Sequence, residues 1–500
     1  MSPLILFSFV IGYFLILLGV AYFTSRNSNN ESFFIGNRNS NWMLVAFGMI
    51  GTSLSGVTFV SVPGGVGKPM GSGVEGFAYF QIVIGYLIGY LIIAYVLLPL
   101  YYRLNLTSIY NYLHKRLGFL SYKTGASFFI LSRTLGATAR LYLVVKILQD
   151  SIFANLGEGF HMPFWVTTLI ILVMILLYTF EGGVKTIVYT DTLQTTCMLV
   201  GLVVCMVYIL HSMDYNLGSA MSHLAGKGYS NMFVTDPNSK LFIVKQIVAG
   251  AFITVTMTGL DQEMMQKNIS VKTLKDSRKN MLSFSAILVV VNFLFLLLGG
   301  LLYLYAAKNG ITETGDKLFP TTAIMHMPPY ISIIFIIALI SALFPSADGA
   351  ITALTSSFCI DIIGMQRNEK MPDAAKQRMR KLVHLSFAAI FLLVVMIFKW
   401  ADNSSMIGLI LKIAGFTYGP LLGLFAFGIL TKRSVKDKLV PFVAILSPII
   451  CFYIDKYQAL LFGQFQIGLE LLIINGLLTF AGLFLISSAA NDAEKEFSNQ

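Results

Sequence analysis

Four cysteines, three tryptophans, six histidines and a charged fraction of only 12% are spread over 500 residues. Cys197, Cys205, Cys359 and Cys451 all fall inside apolar runs, without the spacing of a zinc site or a disulfide framework. The histidines are scattered, so the cluster that metal-dependent hydrolysis would use is missing, and an enzyme is the least favoured class. Charge this sparse does not fit a water-soluble globular domain of this size. The net charge of +11 informs topology rather than nucleic-acid binding, because of where the basic residues stand.

What the chain has in abundance is apolar residues, 56% of the total. Runs long enough to cross about 30 Å of hydrocarbon recur throughout. Thirteen are expected, at about 3–24, 41–64, 77–101, 124–155, 161–180, 188–211, 241–258, 281–306, 328–362, 382–398, 404–430, 439–456 and 466–488. Membrane β-strands would be shorter and would alternate in polarity, so these spans are read as helices of an all-α polytopic membrane protein. With the N-terminus outside, the inner loops and tail hold 23 Lys and Arg, the outer loops seven, and the spans five. That asymmetry predicts a multi-pass plasma-membrane protein with a cytoplasmic C-terminus. The first span lacks the basic leader of a cleaved signal peptide. No soluble signalling domain is expected after the last span.

Two spans have poor helix interiors. The second holds Gly51, Thr52, Ser53, Leu54, Ser55 and Gly56; the seventh holds Gly250, Thr254, Thr256, Thr258 and Gly259. Glycine loosens a helix, and serine and threonine offer its backbone competing bonds. Two interrupted spans, each opening a set of five, predict paired inverted repeats over about 41–211 and 241–430. The helices at 3–24, 439–456 and 466–488 are then additions. The ninth span, IIALISALFPSADGAITALTSSFCID (336–361), places Ser341, Asp348, Thr352 and Thr355 on one face. Pro345 lacks an N–H, so the Ser341 carbonyl loses its helical partner. A bare carbonyl, hydroxyls and a carboxylate in hydrocarbon are costly unless they meet a partner, a cavity or a hard cation. Arg133 and Arg140 share a face seven residues apart; an anionic solute, a carboxylate or backbone carbonyls of the bundle would satisfy them. The segment 259–280 is read as a polar inner loop.

Five motifs carry a resemblance: ESFFIGNR (31–38), GGVKTIVYTDTLQ (182–194), MMQKNISVKTLKDSRK (264–279), SADGAITALTSSFCID (346–361) and FTYGPLLG (416–423). Their order over nearly the whole chain resembles the sodium:solute symporters, a family that includes bacterial sodium/galactose, sodium/proline and sialic acid transporters. The resemblance implies a LeuT-like core and import of a small organic solute with Na+ by alternating access. It places sodium-binding carbonyls on Gly51, Leu54 and Ala342 and a hydroxyl on Ser346. Pro345 stands where the family has a second hydroxyl. Asp191 and Asp348 match a second cation site or exit path and are expected to share a sodium or a proton. The solute pocket maps to Ser53, Ser55, Thr58, Gln81, Thr254 and Thr258. Sugars, acidic sugars and amino acids are all candidate solutes, although Met257 and Thr258 stand where sugar carriers have aromatics. Membrane lipid is the expected surrounding, and no nucleic acid is expected. A proton-coupled symporter or a membrane solute sensor of the same fold is the alternative.

Overall fold

The computed structural model describes residues 3–26, 30–67, 76–152, 162–180, 183–368, 370–401 and 406–489. Lys68, Lys495 and Gly182 of the second motif lie outside them. The helices that matter here are α1 (Pro3–Thr24), α2 (Trp42–Ser53), α3 (Gly56–Gly65), α4 (Tyr79–Arg103), α5 (Phe119–Ser151), α6 (Phe164–Thr179), α7 (Gly183–Ser212), α8 (Ile243–Gly259) and α9 (Gln262–Ile269). They continue with α10 (Leu274–Asn309), α11 (Pro329–Ile363), α12 (Asp373–Ala401), α13 (Met406–Thr417), α14 (Gly419–Leu430), α15 (Asp437–Lys456) and α16 (Leu471–Leu485).

Among the described residues, eight helices are long and apolar enough to cross a membrane, or eleven spans if each of three bent pairs counts as one. The shorter apolar helices α6 and α16 occupy the fifth and thirteenth expected runs. The bends are 56° between α2 and α3, 66° between α8 and α9, and 45° between α13 and α14. The two sharpest coincide with the two spans whose interiors are rich in glycine, serine and threonine. At the first, Leu54 (φ −91°, ψ 80°) and Ser55 (φ −70°, ψ 171°) leave helical geometry. At the second, a π-helical turn over Val255–Gly259 precedes extended Asp261. Helix ends follow ordinary capping: Asn41 accepts from the Met43 N–H at 2.8 Å, and Gly310 closes α10 in the left-handed region at φ 66°.

Pro345 does not break α11, which runs as one helix from Pro329 to Ser357 before a closing π-helical turn. Losing one N–H leaves a single carbonyl unpaired, which surrounding packing tolerates. α11 is buried on all sides from Leu339 to Ser357. α7 packs against α11 and α2, and α4 against α8. Small residues permit that closeness: a β-carbon on Gly85 of α4 would stand 2.9 Å from the Ala251 nitrogen of α8. A two-residue antiparallel ladder, Ser434–Val435 with Ser487–Ser488, clips the segment before α15 to the end of α16.

The segment read as a polar inner loop, 259–280, differs from expectation. Its first part is α9, and every residue of α9 is buried. The reason lies in what its charges meet.

Candidate functional site

The break between α2 and α3 lies against the middle of α11. A β-carbon on Gly51 would sit 3.5 Å from Pro345 Cγ and would collide with Thr195 Oγ1 of α7. Thr195 Oγ1 accepts the Gly51 N–H at 3.1 Å. The structure therefore brings Gly51 and Leu54 to the element that carries Ala342 and Ser346, and all four are buried. Among the described residues no donor reaches the carbonyls of Gly51 through Leu54. Ser346 donates to the Leu343 carbonyl at 2.8 Å, which leaves its oxygen lone pairs free to accept or to coordinate. Bare carbonyls and a hydroxyl form a donor set that fits a hard monovalent cation. Ser341 turns its hydroxyl to Tyr13 of α1 at 2.7 Å.

A cavity of about 770 Å³, its open mouth included, lies beside this break. Ser53, Ser55, Thr58, Thr254 and Thr258 line it, together with Tyr79, Tyr86, Tyr90, Arg140 and Asn292. Ile407, Ile410 and Leu411 of α13 form one wall. Gln81 does not line it. Its amide donates to Leu241 O at 3.1 Å and Ala78 O at 3.2 Å and accepts from Val234 N–H at 3.2 Å, so it fastens the segment before α8 to α4. Gln81 lies two residues from Tyr79, about 200° around a helix, so the face carrying the tyrosines points to the cavity and the glutamine away.

The two arginines of α5 have different fates. Arg133 is buried and ion-paired to Glu263, with Asp261 at 3.8 Å. Both arginines line the cavity, but Arg140 is half-buried and makes no hydrogen bond or ion pair among the described residues. Asp261 also caps α9, accepting from Glu263 N–H at 2.9 Å, and accepts from Tyr418 OH at 2.8 Å.

Asp191 and Asp348 face different partners. Asp191 Oδ2 meets Lys267 Nζ of α9 at 2.7 Å and Thr52 Oγ1 at 3.2 Å. Asp348 Oδ2 accepts from Tyr178 OH of α6 at 2.7 Å. Asp191 Oδ1, Asp348 Oδ1, both amide atoms of Gln194 and Thr352 Oγ1 are buried without a hydrogen-bond partner. Thr355 bonds Ile351 O and the ring of His384, an ordinary structural role. Lys245 pairs with Glu470 and Lys412 with Asp455. Reading the sequence left Arg140 open between two roles and missed Lys267. The tyrosines at 79, 86 and 90 were a usable signal, since that spacing lines one helical face.

An unbroken polar helix, two broken partners and a polar cavity lined by both breaks define a secondary transporter of the LeuT-like class. Comparison with known proteins agrees. The model of the sodium:solute symporter family matches residues 33–437, and the chain belongs to that family. It is 24% identical over 493 residues to the sodium/sialic acid symporter of Proteus mirabilis (strain HI4320), covering 93% of this chain and 92% of that one. It is 25% identical over 444 residues to the sodium-coupled monocarboxylate transporter 1 of Mus musculus, covering 86% and 68%. The solved substrate-bound, outward-open state of a Na+-coupled sialic acid symporter superposes with a TM-score of 0.80 at 19% identity, over 96% of this chain and 97% of that one. The chain is a multi-pass membrane protein of sodium-coupled symport by alternating access, with Na+ as coupling ion, and not an enzyme.

Proposed function

We propose that this symporter imports a small organic anion, with sodium held by the Gly51, Leu54 and Ala342 carbonyls and the Ser346 hydroxyl. Arg140 carries this reading. A guanidinium in a membrane cavity is costly without a counter-charge, and among the described residues Arg140 makes no ion pair while Arg133 is paired to Glu263. The start of α3 adds to it. Ser55 caps α3 without a side-chain bond, so the first N–H groups of α3 and its positive end are left to the cavity. Ser53, Ser55, Thr58, Thr254 and Thr258 supply hydroxyls for the rest of the solute.

Sodium joins α2 to α11 and completes the floor of the cavity. The ion binds the two conformations differently, so its gradient biases the direction of solute movement. The distribution of Lys and Arg supports an N-terminus outside a plasma membrane and α9 on its cytoplasmic side. Two relatives are named for anions, sialic acid and monocarboxylates, while the sodium/glucose cotransporter 1 of Oryctolagus cuniculus is named for a neutral sugar.

Uptake into proteoliposomes under an inward sodium gradient tests the reading. Radiolabelled sialic acid, lactate and galactose serve as the panel. Entry of an acid but not of galactose is expected, with Arg140→Ala raising KM roughly 10-fold or more, the size of a charge-assisted hydrogen bond, and Arg140→Lys recovering part of it. Sodium-driven galactose uptake that is indifferent to Arg140→Ala contradicts it.

A further inference from the structure

We infer that the ammonium of Lys267 is a resident cation occupying the second-cation position beside Asp191, so that the solute is coupled to the single sodium of the first break. This rests on the sodium site proposed above.

Lys267 is 1% exposed, yet it sits within the span formed by α8 and α9. Its Nζ lies 2.6 Å from Thr52 Oγ1, 2.7 Å from Asp191 Oδ2 and 3.9 Å from Glu263 Oε1. Those oxygens come from α2, α7 and α9. Convergent hydroxyl and carboxylate oxygens from several helices are what a bound sodium would use, and here a tethered cation already bonds Thr52 Oγ1 and Asp191 Oδ2. The pocket is shaped for it. A β-carbon on Gly48 would stand 3.0 Å from Asp191 Cβ, and one on Gly349 would collide with the Glu263 carboxylate, so two glycines make room for the two acids around the lysine.

The two aspartates expected to share an ion bond different partners. Asp191 is matched by the ammonium, and Asp348 is turned to Tyr178. A sodium entering the same oxygen set would lie within a few ångströms of a fixed positive charge, with little water to screen the repulsion. The lysine differs from an ion in one functional respect: it cannot leave. A second sodium would add its gradient to the driving force, whereas Lys267 contributes only structure to the junction of α2, α7 and α9.

Counting bound sodium decides this without a known solute. Equilibrium binding of radioactive sodium to the purified full-length protein, taken to saturation, should give one ion per chain. Lys267→Thr, which trades the ammonium for a hydroxyl, should give one more than wild type, and Lys267→Thr with Asp191→Asn should lose that added ion. Two ions in the wild type overturn the inference without recourse to any variant that fails to fold. An unchanged count in folded Lys267→Thr overturns it as well. A wild type that binds none while Lys267→Thr binds one upholds the lysine and counts against the first-break site.

Discussion

The two broken spans bend at comparable angles and solve the same problem in opposite ways. Any break exposes backbone groups that hydrocarbon cannot satisfy. At the second break, the protein satisfies them itself. Tyr101 OH donates to Gly259 O at 2.8 Å, Tyr110 OH to Leu260 O at 2.9 Å, and Asp261 takes the N–H groups of α9. Arg133 and Lys267 then hold Asp261, Glu263 and Asp191. At the first break the carbonyls of Gly51 to Leu54 have no donor among the described residues, and Ser55 makes no cap bond. One break is closed by resident side chains. The other keeps valences for cargo that comes and goes. A transporter needs both: a pivot that stays assembled and a site that can empty.

If that contrast is right, damage at the two breaks should read out differently. The largest expected effect is Arg133→Met. It leaves the buried Glu263 with only the Lys267 ammonium, 3.9 Å away, and should cost about 3–5 kcal/mol, seen as a lower thermal midpoint in both NaCl and KCl. Arg133→Met with Glu263→Met should regain much of the loss, since the uncompensated charge is then gone. Asp261→Ala removes a helix cap and the acceptor of Tyr418, and about 1–3 kcal/mol should be lost, again without regard to the cation. The smallest effect on stability is expected for Ser55→Ala, within about 0.5 kcal/mol in KCl, because no side-chain bond is removed. Its sodium-driven uptake should nevertheless fall. A large destabilisation by Ser55→Ala in KCl would erase the contrast between the breaks.

The parts of this molecule that were legible in sequence are those fixed by local chemistry. Hydrophobic run length located the helices, and clusters such as Gly51-Thr52-Ser53 and Thr254 to Gly259 marked both bends. What was not legible depends on partners distant in sequence. The stretch QEMMQKNI reads as a loop because its charges look solvated, but Glu263 meets Arg133 of α5 and Lys267 meets Asp191 of α7, so the segment is a buried helix. Arg133 and Arg140 carry the same local signal. The acids of α9 reach the first and not the second, a distinction only tertiary structure makes. Gln81 was assigned to the solute pocket by register with relatives, and its side chain lies on the far face of α4 from Tyr79. The sharing of an ion by Asp191 and Asp348 is what the resemblance implies, and it takes no account of the lysine.

The central claim is that the first break is an ion site completed by α11, and thermal unfolding of purified wild type and Ser346→Ala tests it. Each is followed in NaCl and in KCl at matched ionic strength. A ligand that binds only the folded state raises stability by mass action, about 2.7 kcal/mol at 100 times Kd. A sodium-specific rise of the wild-type midpoint that Ser346→Ala loses is expected. A wild-type midpoint indifferent to the cation, or a sodium rise that survives in Ser346→Ala, would contradict it.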